Sequence, residues 1–122
     1  MEAILDTNFI ISCLRKKIDF KEEIEKLGFI PIIPKEVMQE MKDLMDKKVS
    51  REDRIAIEMA LESIQKNKLK KIGLGKGKVD TELIKKGKSG IYIASLDNGV
   101  KRSVPNRIVI SSSQNSLVVE RD

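Results

Sequence analysis

The sequence predicts an α/β fold: a mainly parallel sheet covered by helices on both faces, in three layers, within one domain spanning residues 1–122. Three observations carry this expectation. Short apolar runs rich in Ile and Val, of the kind found in strands buried on both faces, alternate along the chain with segments of helical periodicity. The 40% hydrophobic content can build a real core, and with only Phe9, Phe20, Phe29 and Tyr92 aromatic, that core must be aliphatic. The length, finally, fits one domain and leaves little room for two.

Ala3-Ile4-Leu5 reads as a strand, Asp6-Thr7-Asn8 as the turn after it, and Phe9 to Leu14 as a helix. Lys21 to Leu27 spaces Ile24 and Leu27 helically among charges, and Gly28 ends it. Phe29 to Ile33 is a second buried strand, in which Pro31 cannot donate to a ladder and so suggests an edge or an irregular position. Pro34 suits the first turn of a helix with Val37, Met41, Leu44 and Met45 on its apolar face. Ser50 with Asp53 resembles a capping box for the next helix, which Ile55, Met59, Leu61 and Ile64 carry to about Asn67. The basic segment Lys68 to Lys78 holds Leu69, Ile72 and Leu74, enough for a short strand before a Gly-Lys-Gly-Lys loop. Asp80 opens a short helix ending near Gly87, and Ile91 to Ala94 is a buried strand. Asp97-Asn98-Gly99 reads as a turn into a short basic stretch. Ile108–Ile110 and Leu117–Val119 then close the chain as a strand pair around Ser-Ser-Ser-Gln-Asn, their direction open.

Composition excludes much chemistry. With no histidine there is no Ser-His-Asp triad, no Cys-His pair and no imidazole ligand or base. Cys13, the single cysteine, lies in an apolar stretch and reads as a small buried hydrophobe in a reducing compartment. No apolar run approaches a membrane span, and acidic Glu2 and Asp6 stand where a signal peptide would be basic, so a cytoplasmic protein without membrane partners is expected. The 24 Lys and Arg against 19 Asp and Glu give a net charge of +5, which favours a polyanionic partner; a solvated charged surface of a heat-adapted protein is the competing explanation. Gly87-Lys88-Ser89 lacks the upstream glycine of a phosphate-binding loop, and Gly73, Gly75 and Gly77 lack the third glycine of a dinucleotide fingerprint.

Carboxylates remain. Asp6 ends the first strand, Glu36 lies in the first turn of the helix after the second, Asp80 starts a helix, and Asp97 follows a central strand. Parallel strand ends share one edge, where open α/β sheets bind ligands. Each acid also has a structural use, as helix cap, dipole partner or turn residue. If the four meet in one cleft they repel unless a cation lies between them, and hard oxygen donors suit Mg²⁺ or Mn²⁺.

Leu5-Asp6-Thr7-Asn8-Phe9-Ile10, Ile33-Pro34-Lys35-Glu36-Val37, Val79-Asp80-Thr81-Glu82-Leu83-Ile84 and Ile93-Ala94-Ser95-Leu96-Asp97 resemble the four acidic motifs of PIN-domain nucleases. The resemblance covers essentially the whole chain and looks most like the branch related to ribosomal RNA-processing proteins of archaea and eukaryotes, with the VapC-type toxin branch open. It implies a PIN-like α/β/α sandwich and a metal-dependent endoribonuclease. Asp6, Glu36, Asp80 and Asp97 would be the ligands of one or two divalent ions, with Asn8 and Ser95 as hydrogen-bonding residues around them. Lys68, Lys70, Lys71, Lys76 and Lys78, with Lys101 and Arg102 near Asp97, would hold the RNA backbone without reading its sequence. The expected partner is RNA, ribosomal or ribosome-associated. A homodimer is open, and an antitoxin would be a partner only of a toxin-like protein. A PIN-fold RNA-binding or assembly factor that cuts nothing is the alternative. The lysine-rich helix after Asp80 is shorter than is usual in the family, and Gly99 stands where some relatives add a further acid.

Overall fold

A computed structural model describes residues 1–122. The strands are β1 (Glu2–Leu5), β2 (Ile30–Pro34), β3 (Lys70–Ile72), β4 (Tyr92–Ala94), β5 (Asn106–Ser111) and β6 (Ser116–Arg121). They join in one sheet of order β3-β2-β1-β4-β5-β6. The first five are mutually parallel and β6 returns antiparallel beside β5, which settles the direction of the closing pair. Five parallel strands therefore send their C-terminal ends to one edge.

The helices are α1 (Thr7–Arg15), α2 (Phe20–Lys26), α3 (Lys35–Met45), α4 (Arg51–Lys66), α5 (Val79–Lys88) and α6 (Asn98–Ser103). Because side chains alternate across a strand, Ala3, Leu5, Ile33, Tyr92 and Ala94 face one way and Ile4, Ile32 and Ile93 the other. On the first face they meet Phe9, Ile10, Cys13, Phe20, Ile24, Val37, Met41, Ile57 and Ile64 from α1 to α4. On the second they meet Leu83 of α5 and Val100 of α6. This is the three-layer α/β/α sandwich the sequence predicts.

Local signals place most boundaries. The side chain of Asp19 accepts from Glu22 N at 3.1 Å and caps α2, and Ser50 does the same for α4 through Asp53 N at 3.1 Å. Gly28, at φ +93°, stops α2 with a backbone other residues rarely adopt.

Three expectations change. Pro31 sits in β2, an interior strand, yet Ile30 N–H points to Met1 O, so the missing N–H at Pro31 faces β3, whose pairing begins only at Ile32. Locally, then, it is an edge. Pro34 ends β2 and caps α3 rather than lying in its first turn. Asp97-Asn98-Gly99 opens the helix α6 rather than a simple turn, because the Asp97 carboxylate accepts from Val100 N at 2.9 Å.

Candidate functional site

Asp6 is the most buried acid of the protein, 5% exposed, at the C-terminal end of β1. Its N–H is tied to Ala94 O of β4 at 2.9 Å, and its carboxylate accepts from Thr7 N at 2.8 Å and from Ser95 Oγ at 3.0 Å. Ser95 Oγ in turn accepts from Asp97 N at 3.1 Å. One buried hydroxyl thus fixes the ends of β1 and β4 and the positions of two acids at once.

A third acid enters from α3. Thr7 Oγ1 donates to Glu40 Oε1 at 3.2 Å, drawing that carboxylate towards Asp6. The fourth, Asp80, is exposed at the second position of α5 and does not cap it. Charge links Asp80 and Asp97 to Asp6, and Asp6 and Asp80 to Glu40. Burial, chiefly, holds the Asp6 carboxyl above its ordinary 3.8; the Asp80 and Asp97 charges add to this, and the hydrogen bonds from Thr7 and Ser95 oppose it. Glu40 is likewise raised from 4.5 by burial first and then by the charges of Asp6, Asp80 and Asp43, with the Thr7 bond opposing. No lysine or arginine forms an ion pair with any of the four.

Glu36 is not part of this group, and the expectation for it is corrected. Both its carboxylate oxygens accept from Leu74 N at 3.1 Å, so it holds the segment between β3 and α5 instead. Glu40 lies one turn later on the same helix. The spacing of Val37 and Met41 shows which face of α3 packs on the core. Which of two acids four residues apart overlies Thr7 depends on how far along its axis α3 crosses the sheet edge, and the sequence does not carry that.

Of the two expected hydrogen-bonding residues, Ser95 stands at the centre of the network, whereas Asn8 is exposed in the first turn of α1 and bonds none of the acids. The basic residues divide. Lys76 and Lys78 precede α5 on the acid edge, and Lys101 and Arg102 lie on α6, directly after Asp97. Lys68 precedes β3 at the opposite edge, Lys70 is paired with Glu2 at 2.7 Å, and Lys71 shares the sheet face of its neighbour Ile33, where α1 to α4 pack.

Carboxylate and hydroxyl oxygens, unneutralised by any basic side chain, fit a hard divalent cation in kind and in charge. As the side chains stand, no three acids converge closely enough to hold an ion. Glu40 and Asp80 are both exposed residues.

No family model matches the chain, and no curated protein matches it in sequence. Among solved structures, that of the PIN domain endonuclease Utp24 is similar over 99% of this chain and 92% of that one, with a TM-score of 0.75 and 22% sequence identity. The chain has a PIN-like fold.

Proposed function

We propose that the protein is a metal-dependent endoribonuclease that hydrolyses RNA phosphodiester bonds with Asp6, Glu40, Asp80 and Asp97, in RNA processing or turnover. The observation that carries this reading is the buried Asp6 carboxylate at the sheet edge, tied through Ser95 to Asp97 and through Thr7 to Glu40, with no basic side chain paired to any of them. A buried, perturbed carboxylate with other acids nearby is characteristic of functional sites. The similarity to a PIN domain endonuclease supports the same reading at the level of fold.

A bound Mg²⁺ or Mn²⁺ would lower the pKa of a coordinated water and offset charge growing on the phosphate. The chain's own residues would do the rest. Asp6 is held by Thr7 N on one oxygen and Ser95 Oγ on the other, and each oxygen keeps a lone pair for a ligand. Asp97 is fixed through its own N–H to Ser95 and through its Oδ1 to Val100 N, which leaves Oδ2 without a protein partner. Thr7 occupies Glu40 Oε1, so Oε2 is free either to complete the ligand set or to take a proton from water. Glu36, committed to Leu74 N, would position the β3–α5 segment and with it Asp80.

A second reading, an RNA-binding factor that cuts nothing, is favoured by the failure of any three acids to converge. Incubating end-labelled single-stranded and structured RNAs with the wild-type protein separates the two. Cleavage with Mg²⁺ or Mn²⁺ that stops on chelation is expected, and intact RNA under every metal condition would leave the binding factor.

A further inference from the structure

The net charge of the protein is concentrated in one stretch of the chain, and seven of that stretch's ten cations lie on or beside α5 and α6. From Lys68 to Pro105 the chain carries ten Lys and Arg against three Asp and Glu, whereas the first 67 residues carry twelve against fourteen and the last seventeen two against two. That stretch builds β3, α5, β4 and α6, and α5 and α6 are the helices that cover the second sheet face. Lys76, Lys78, Lys88 and Arg102 there are exposed, and none forms an ion pair. Lys85 is partly spent on Glu82, at 3.3 Å.

Lys76 and Lys78 are also held in place. Glu36 grips Leu74 N, and the Glu82 carboxylate lies so close under the next turn of chain that a Cβ at Gly75 or Gly77 would come within 2.5 Å of it. Gly75, at φ +136°, adopts a backbone that side chains disfavour. The two glycines therefore let the loop rest directly on Glu82, which fixes the backbone that carries Lys76 and Lys78 into α5. Lys88 ends α5 at the far side, ~15 Å away for a helix of this length. All four aromatic rings are buried, so bases find no stacking platform and contacts fall to phosphates.

We propose that the α5–α6 layer is the docking surface for the RNA backbone, which runs from Lys88 and Arg102 to Lys76 and Lys78 and there presents a phosphodiester to the acids. This rests on the nuclease reading above. It sets aside Lys68, Lys70 and Lys71 as contributors and adds Lys88.

The test is fluorescence anisotropy of a short single-stranded RNA of mixed sequence, measured at several salt concentrations with EDTA present so that no cleavage intervenes. Replacing Lys76, Lys78, Lys88 and Arg102 with Gln should weaken binding at least tenfold at low salt. It should also flatten the slope of log K against log salt by about 3, at roughly 0.7 per phosphate contact. Replacing Lys42, Lys47, Lys48 and Lys66, exposed cations on the α3–α4 side, removes the same charge and should cost less than about threefold. Equal losses in both variants, or none in the first, would overturn the surface. So would a first variant that releases anionic phospholipid vesicles while holding RNA as before. If the quadruple variant melts early, the pairs Lys76/Lys78 and Lys88/Arg102 are replaced separately, and each should remove about half the slope. RNA bound on this surface by a protein that never cuts would refute the nuclease reading and leave the surface standing.

Discussion

Ser95 is a small residue with two bonds, one given to Asp6 and one taken from Asp97 N. Ser95→Ala strands a buried carboxylate oxygen and a backbone donor, so it should destabilise the protein by about 2 kcal/mol, the range for hydrogen bonds to charged groups. It should also depress RNA cleavage, while Asn8→Ala, at an exposed position, should change neither thermal stability nor rate. The two glutamates of α3 separate in the same way. Glu40→Gln should reduce cleavage about 100-fold without lowering the melting temperature, since it removes charge from the acid group and keeps a Thr7 acceptor. Glu36→Gln should leave most activity and cost about 1 kcal/mol, as only one amide oxygen remains for Leu74 N. Equal kinetic losses in both would contradict the separation. Cys13 is fully buried, and burial pushes its thiol from 9.0 up to about 12. Between those values the unfolded chain ionises first, so stability should fall as pH rises above about 9. Equilibrium urea unfolding at several alkaline pH values, with Cys13→Ala as reference, measures this contribution.

Among the elements, α5 lies close against α6 and β4 at Gly87, where a Cβ would overlap the Val104 side chain and crowd Ile93. Gly87→Ala should therefore destabilise by roughly 1–3 kcal/mol in denaturant titration, in spite of the higher helix propensity of alanine. The sequence alone places Gly87 only near the end of a helix. Its close approach to Val104 depends on α6, and α6 was hidden because Asp97-Asn98-Gly99 has the composition of a turn as well as of a cap. Where one signal dominates, reading is easier: the aliphatic runs at Ile4, Ile32 and Ile93 mark the central strands, and Ser50 with Asp53 marks the start of α4. Pro31 is read correctly as a local edge but not as part of an interior strand. An N–H is lost without cost wherever the neighbouring strand has not begun, and sequence does not show where a neighbour begins.

For the whole molecule, the positions of Asp6, Asp80 and Asp97 at one edge follow from parallel strand order, which the alternation of elements carries. Glu40 and the limit of the basic surface do not follow from it, because both depend on how helices cross the sheet. Unpaired carboxylates at the acid edge are a source of instability in the absence of a cation. Asp80→Asn should melt higher than wild type in EDTA, and saturating Mn²⁺ should raise the wild-type Tm by several degrees and the variant's by less; a ligand at about 100 times its Kd adds roughly 2.7 kcal/mol. Unchanged melting of both proteins with Mn²⁺ would count against any bound ion. The claim at the centre is that these carboxylates perform hydrolysis, and single-turnover cleavage of one labelled RNA by wild type, Asp6→Asn and Asp97→Asn in Mn²⁺ tests it most directly. Both substitutions keep side-chain volume and remove a charge, so both should bind the RNA with near wild-type affinity and cut it at least about 100-fold more slowly. Cleavage by either at the wild-type rate would contradict the account.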